Sequence, residues 1–198
     1  MTDTLGGIPD VPGPEIFDIV GSATRHPEGV ALIDRCPMSE RRLILLRHAK
    51  SDWSGGEPDV ARPLASRGRR QAPEAGRWLA AHAEGIDLAV VSPAVRASST
   101  WALASAELDV APSMRVDDRV YGASDRGLLT VVRDLPDDAH TVVLVGHNPG
   151  LEDLAALLTG DLTPMPTSAL AVITVSGSWS AAHPGSAVLV TAGRPPVA

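Results

Sequence analysis

The chain has 198 residues, 44% of them apolar and only 3% aromatic, which suffices for one well-buried core built mainly from Val, Leu, Ile and Ala. Its formal charge of −7 and its lack of interleaved basic and aromatic residues argue against a nucleic-acid-binding role. No stretch approaches the roughly 20 apolar residues of a membrane span, and Met1 to Asp10 lacks the basic and apolar regions of a signal peptide, so a soluble cytoplasmic protein with no membrane partner is expected.

In chain order, residues 1–40 are rich in Pro, Gly and acids, with one short apolar patch at Ile16 to Val20, and read as a flexible extension. Seven acids there face only Arg25 and Arg35, so most of the negative charge lies outside the domain expected over residues 41–194. Met38 stands directly before that domain and reads as a candidate translation start, which N-terminal sequencing of protein from its native source would settle. The single cysteine, Cys36, makes no intrachain disulfide and agrees with a reducing compartment. Fifteen basic residues follow position 40, fourteen of them Arg, the side chain whose planar fork suits phosphate.

Short apolar runs then alternate with helical patterns, which predicts an α/β sheet with helices on its faces. Leu43 to Leu46 is a strand. Ser66 is positioned to cap a helix running to Ala83, with Ala72, Ala75, Leu79 and Ala83 at helical spacing and Gly85 as its stop. Leu88 to Val91 is a second strand, followed by Ser92-Pro93 as cap and first helical residue of a segment reaching Ala106. A helix is expected over Gly127 to Leu135 and a third strand over Thr141 to Val145. Asn148-Pro149 repeats the cap-and-proline signal before a helix ending at Thr159-Gly160. Ala169 to Val175 and Ala187 to Thr191 read as late strands toward the sheet edge.

Three strand ends carry the chemistry. The first leads into Arg47-His48, the second through Ser92-Pro93 to Arg96, the third into Gly146-His147-Asn148. Ligands of open α/β sheets bind beyond the carboxyl ends of strands, so two arginines, two histidines and two helix starts are expected to converge there. That set suits a dianion. His26, His82, His140 and His183 have no such context and read as surface or linker residues. Neither His48 nor His147 has a further ligand at metal-site spacing, so no metal is expected.

The string Leu45-Leu46-Arg47-His48-Ala49-Lys50-Ser51-Asp52-Trp53 resembles the opening signature of SixA-like phosphohistidine phosphatases in the histidine phosphatase superfamily. Ser92-Pro93-Ala94-Val95-Arg96-Ala97-Ser98-Ser99-Thr100 resembles the second motif and Gly146-His147-Asn148-Pro149-Gly150 the third. The resemblance implies a phosphoglycerate mutase-like three-layer α/β/α sandwich with a mostly parallel central sheet, and no cofactor. It implies that His48 is the nucleophile that becomes phosphohistidine. Arg47 and Arg96 would hold the phosphoryl oxygens, His147 would donate to them, and Arg62 would be a further phosphate-binding residue. Trp53 packs beside the site or meets the substrate.

Larger superfamily members carry a glutamate general acid after the second motif. Here no glutamate occurs from Leu108 to Leu151, and Asp118 or Asp125 could substitute, although neither falls clearly in register. Its absence favours a phosphoramidate, whose leaving imidazole needs less help than an alkoxide. The expected partner is therefore a phosphorylated protein such as a phosphotransfer domain. The alternatives are a small phosphorylated metabolite and, in another class, a non-catalytic phosphate-binding module.

Overall fold

A computed structural model describes residues 40–83 and 85–195. The readings made for Ile16 to Val20, His26, Cys36, Met38 and the extension as a whole lie outside the described residues.

Strand β1 (Glu40–Arg47) sits centrally because its apolar run has two faces to bury. Leu43 and Leu45 enter one core and Ile44 and Leu46 the other, all fully buried. The first core is closed by α3 (Asp125–Arg133) and α4 (Gly150–Thr159), the second by α1 (Ser66–His82) and α2 (Val95–Ser105). The result is the expected three-layer α/β/α arrangement. No helix among the described residues is long and apolar enough to cross a membrane.

The six-stranded sheet runs β3-β2-β4-β1-β5-β6, with β2 (Leu88–Val91), β3 (Ser113–Val116), β4 (Thr141–Gly146), β5 (Leu170–Ser176) and β6 (Ala187–Gly193). Strands β1 to β4 are mutually parallel, whereas β5 and β6 are antiparallel additions. Of the two late strands only β6 lies at an edge, the opposite edge being β3. β5 is internal, between β1 and β6, and is buried along most of its length. Strand β3 escapes a sequence reading because it is an edge strand whose apolar residues, Met114 and Val116, are half exposed.

Helix starts also differ from expectation. Ser66 is the first residue of α1 rather than its cap; Ala65 occupies that position without a side-chain bond, and the Ser66 hydroxyl accepts from Arg69 instead. Helix α2 begins two residues after Pro93, because the Ser92 hydroxyl is turned toward His147. Asn148-Pro149 is a cis peptide, α4 starts at Gly150, and the Asn148 side chain donates to the Met165 carbonyl rather than capping. Helix α3 starts two residues early, at Asp125, because Ser124 caps it by accepting from the Gly127 amide. Helices α1 and α2 approach closely at Gly76, where a Cβ would overlap the Ala104 carbonyl oxygen.

Candidate active site

Adjacent strands β1 and β4 send their chains to opposite faces of the sheet, β1 to α1 and β4 to α4. This divergence opens a crevice beyond their carboxyl ends. Arg47 and Gly146 are paired in register, so the next residue on each strand, His48 and His147, emerges into the crevice beside the other. Their ring centroids are 5.0 Å apart. Strand β2 flanks β4 on its other side, and Ser92, just past its end, reaches across so that its hydroxyl and His147 Nε2 lie at 2.8 Å. Nδ1 of His147 is buried and has no hydrogen-bond partner among the described residues.

His48 is locked by backbone on both sides. Its amide donates to the Gly146 carbonyl, and the following amide, of Ala49, donates to the Thr100 hydroxyl. Its Nδ1 lies 2.7 Å from the Ala49 carbonyl, an acceptor, so in the neutral ring Nδ1 carries the proton and Nε2 the lone pair. Burial pushes its pKa down to about 4, against the opposing pull of the Ala49 carbonyl and with help from Arg96, Arg47 and Arg62. His147 is pushed down to about 3, first by burial, then by the neighbouring His48 and Arg96. Both rings are therefore neutral at pH 7.

The loop from β1 to α1 folds back on itself. Ser51 and Leu64 form an isolated antiparallel bridge, and the Asp52 amide donates to the Pro63 carbonyl. This hairpin carries Arg62 beside the nucleophile segment, where its Nη1 donates to the Ser51 hydroxyl at 2.8 Å. Trp53 lies over the Arg62 guanidinium at 3.6 Å while remaining 70% exposed, so it packs on a site arginine and also faces solvent at the mouth. Arg47 donates to the Met165 carbonyl at 2.7 Å, and its Nε is buried without a partner among the described residues. Arg96 is buried on α2, with its Nε likewise unpartnered. All five expected residues, Arg47, His48, Arg62, Arg96 and His147, thus gather in one crevice.

A sixth residue, Asp59, is absent from the sequence-based set. It sits in a 3₁₀ turn (Asp59–Ala61) of the same loop. One carboxylate oxygen accepts from Arg62 Nη2 at 2.7 Å and Nε at 2.9 Å. The other accepts from Arg96 Nη2 at 2.9 Å and from the Tyr121 hydroxyl at 2.7 Å. Its backbone carbonyl accepts a further bond from Arg96. These donors, Tyr121 first, hold its carboxyl well below the usual carboxylate range. Tyr121, in turn, stands edge-on to His147 with centroids 5.7 Å apart. The only hint in the sequence is the spacing of Asp59 three residues before Arg62.

The two aspartates considered as acids are placed elsewhere. Asp118 is exposed in a 3₁₀ turn and Asp125 lies half exposed in the first turn of α3; neither bonds to a site arginine or histidine. His82, His140 and His183 are exposed. Among the described residues no three His, Cys, Asp or Glu side chains are grouped to hold a metal ion.

The depressed histidines link stability to pH. Between about pH 6.5, where an unfolded imidazole titrates, and the folded values near 4 and 3, the unfolded chain binds more protons than the folded one. Stability is expected to fall as pH drops through that window and to rise no further on this account above it. Denaturant unfolding of wild type and His147→Ala checks this. The variant is expected to show the shallower slope; identical slopes would mean that His147 is not held neutral.

With this geometry in place, comparison with known proteins is direct. A family model described as "Histidine phosphatase superfamily (branch 1)" matches residues 43–127. The uncharacterized protein Rv1276c of Mycobacterium tuberculosis is 38% identical over 156 residues, spanning 73% of this chain and 96% of the relative. A structure assigned as phosphohistidine phosphatase SixA from Nakamurella multipartitia superposes with a TM-score of 0.70 at 28% identity, covering 79% of this chain and 96% of that one. The protein histidine phosphatase SixA complexed with tungstate shares the fold at a TM-score of 0.68 and 23% identity, covering 78% and 97%. A sheet with a histidine pair at its switch point, arginines around it and relatives of this kind lead to one assignment: the chain is a phosphatase of the histidine phosphatase superfamily and belongs to its SixA-like branch.

Proposed function

We propose that the protein removes phosphoryl groups from phosphohistidine in a cytoplasmic protein, through a covalent intermediate on His48. The observation that carries this reading is the 2.7 Å contact of His48 Nδ1 with the Ala49 carbonyl: a carbonyl only accepts, so Nδ1 holds the proton and the Nε2 lone pair is the reactive one. Nε2 attacks phosphorus while the P–N bond to the substrate imidazole breaks, its electron pair leaving with that ring, which takes a proton from solvent and departs as neutral imidazole. Water then attacks phosphorus, the P–Nε2 bond breaks with its electron pair returning to Nε2, and the proton lost from water goes to solvent as phosphate forms. Arg47, Arg62 and Arg96 hold the phosphoryl oxygens through both displacements. With the Ser92 hydroxyl donating to His147 Nε2, the His147 proton sits on Nδ1 and is offered to the same oxygens. The carboxylate nearest the site, Asp59, is held ionised and is a poor proton donor, which supports a substrate with an undemanding leaving group over an alkyl phosphate.

The test is phosphate release from a histidine phosphotransfer domain phosphorylated with phosphoramidate, set beside glycerol phosphate, each with EDTA present. Turnover of the first at least tenfold above the second is expected, undiminished by EDTA because the guanidinium groups supply the positive charge. Faster release from glycerol phosphate would move the substrate class to small metabolites, and strict dependence on a divalent ion would overturn the all-protein cradle.

A further inference from the structure

The start of α1 is built against its own electrostatics. Its first five residues are Ser66-Arg67-Gly68-Arg69-Arg70, with no acid in the first turn and no side-chain cap. Cations at that end oppose the helix dipole and cost stability. Arg69 is tied down, donating to the Leu64 carbonyl and the Ser66 hydroxyl. Arg67 and Arg70 are exposed, and neither makes a hydrogen bond or ion pair among the described residues. They lie three positions apart on one helix face and share a shallow depression with Gln71, Glu74 and Arg194 from just beyond β6.

That depression adjoins the catalytic crevice. Gln71 accepts from the Lys50 amide, two residues past His48, and its carbonyl accepts from the Ser168 hydroxyl. The Ser168 amide in turn bonds to the Arg47 and His48 carbonyls. Arg194 donates to the Thr167 carbonyl, and its charge is felt at Arg47. On the opposite face of the sheet, Glu152 and Asp153 in the first turn of α4 line a separate depression with Leu162, Thr163 and Pro164, and the charge of Glu152 is also felt at Arg47. Arg47 thus feels a basic neighbour on the α1 side and an acidic one on the α4 side, a polarity that orients a charged macromolecule rather than a lone phosphate.

We propose that Arg67 and Arg70, with Arg194, form the docking surface for an acidic face of the protein that presents the phosphohistidine. This rests on the phosphohistidine reading above. The spread of the arginines along the helix and their exposure on an open depression match several carboxylates of an extended surface.

The experiment compares wild type with R67E/R70E on two substrates: a phosphorylated histidine phosphotransfer domain whose surface around its histidine is acidic, and free phosphohistidine. At low salt the variant is expected to raise KM for the domain about tenfold or more, with kcat and both constants for free phosphohistidine unchanged. The gap is expected to narrow as salt rises. Acids at these positions favour the helix dipole, so the melting temperature is expected to hold or rise, and misfolding does not mimic the effect. An unchanged KM for the domain, or equal losses on both substrates, overturns the docking surface. A wild-type protein that cleaves free phosphohistidine but not the domain overturns the protein-substrate reading and the docking surface with it.

Discussion

His48→Ala is expected to release no phosphate above background from any substrate that the wild type cleaves, a loss of at least about a thousandfold. The reason is geometric. Backbone bonds on either side of His48 and its Nδ1 bond to the Ala49 carbonyl aim a single lone pair at the arginine-lined crevice. No other residue can inherit that position. His147 is the nearest imidazole, but its Nε2 is engaged by the Ser92 hydroxyl. Stability is expected to survive the change, because His48 is neutral and no carboxylate depends on it; its removal relieves a group whose burial opposes protonation. Rapid acid-free quenching of enzyme mixed with ³²P-labelled substrate is the decisive check. Wild type is expected to carry label stable to alkali and labile to acid, and the variant none. Label of that kind on His48→Ala would place the nucleophile elsewhere.

The second large effect concerns Asp59. Arg62 and Arg96 are almost fully buried, with side-chain exposures of 10% and 6%, and buried guanidinium groups require an anion. Asp59 supplies it. A bound phosphoryl group would offer oxygens to the same N–H donors, so the carboxylate both steadies the empty cradle and competes for it. Asp59→Asn is therefore expected to be destabilised by about 1 to 2 kcal/mol, a modest figure because the carboxylate is itself half exposed. That corresponds to a melting temperature lower by roughly 4 °C. Inorganic phosphate or tungstate is expected to restore more stability to the variant than it adds to wild type, since the oxyanion no longer displaces a resident carboxylate. Turnover is expected to fall even as oxyanion affinity rises, because the arginines lose the group that orients them. Thermal melts with and without oxyanion, alongside KM and kcat, separate the two. Equal stabilisation of both proteins by phosphate would show that Asp59 does not share the arginines with the ligand.

The docking surface and the Asp59 bridge give the crevice two electrostatic layers of different purpose. The inner arginines Arg62 and Arg96 are buried and paired with Asp59, close to the reacting atoms. Arg67 and Arg70 are exposed and unpaired among the described residues, so salt is expected to weaken their contribution and leave the inner layer nearly untouched.

Sequence alone determined the parts of this protein that depend on neighbours in the chain. The buried parallel strands are legible because a strand covered on both faces must be a nearly unbroken apolar run. The polar residues that end those runs, Arg47-His48 and Gly146-His147, are then bound to emerge at the carboxyl edge. Local chemistry could not say which helix start a serine serves, or which carboxylate meets the arginines. Ser92 looks like a cap, yet its hydroxyl is claimed by His147, 55 residues later. Asp59 looks like an ordinary loop acid, yet its partner Arg96 lies 37 residues away on another element. Only the tertiary structure decided such pairings, because a hydrogen bond between distant segments is set by how the sheet and helices bring them together, and no local pattern records it.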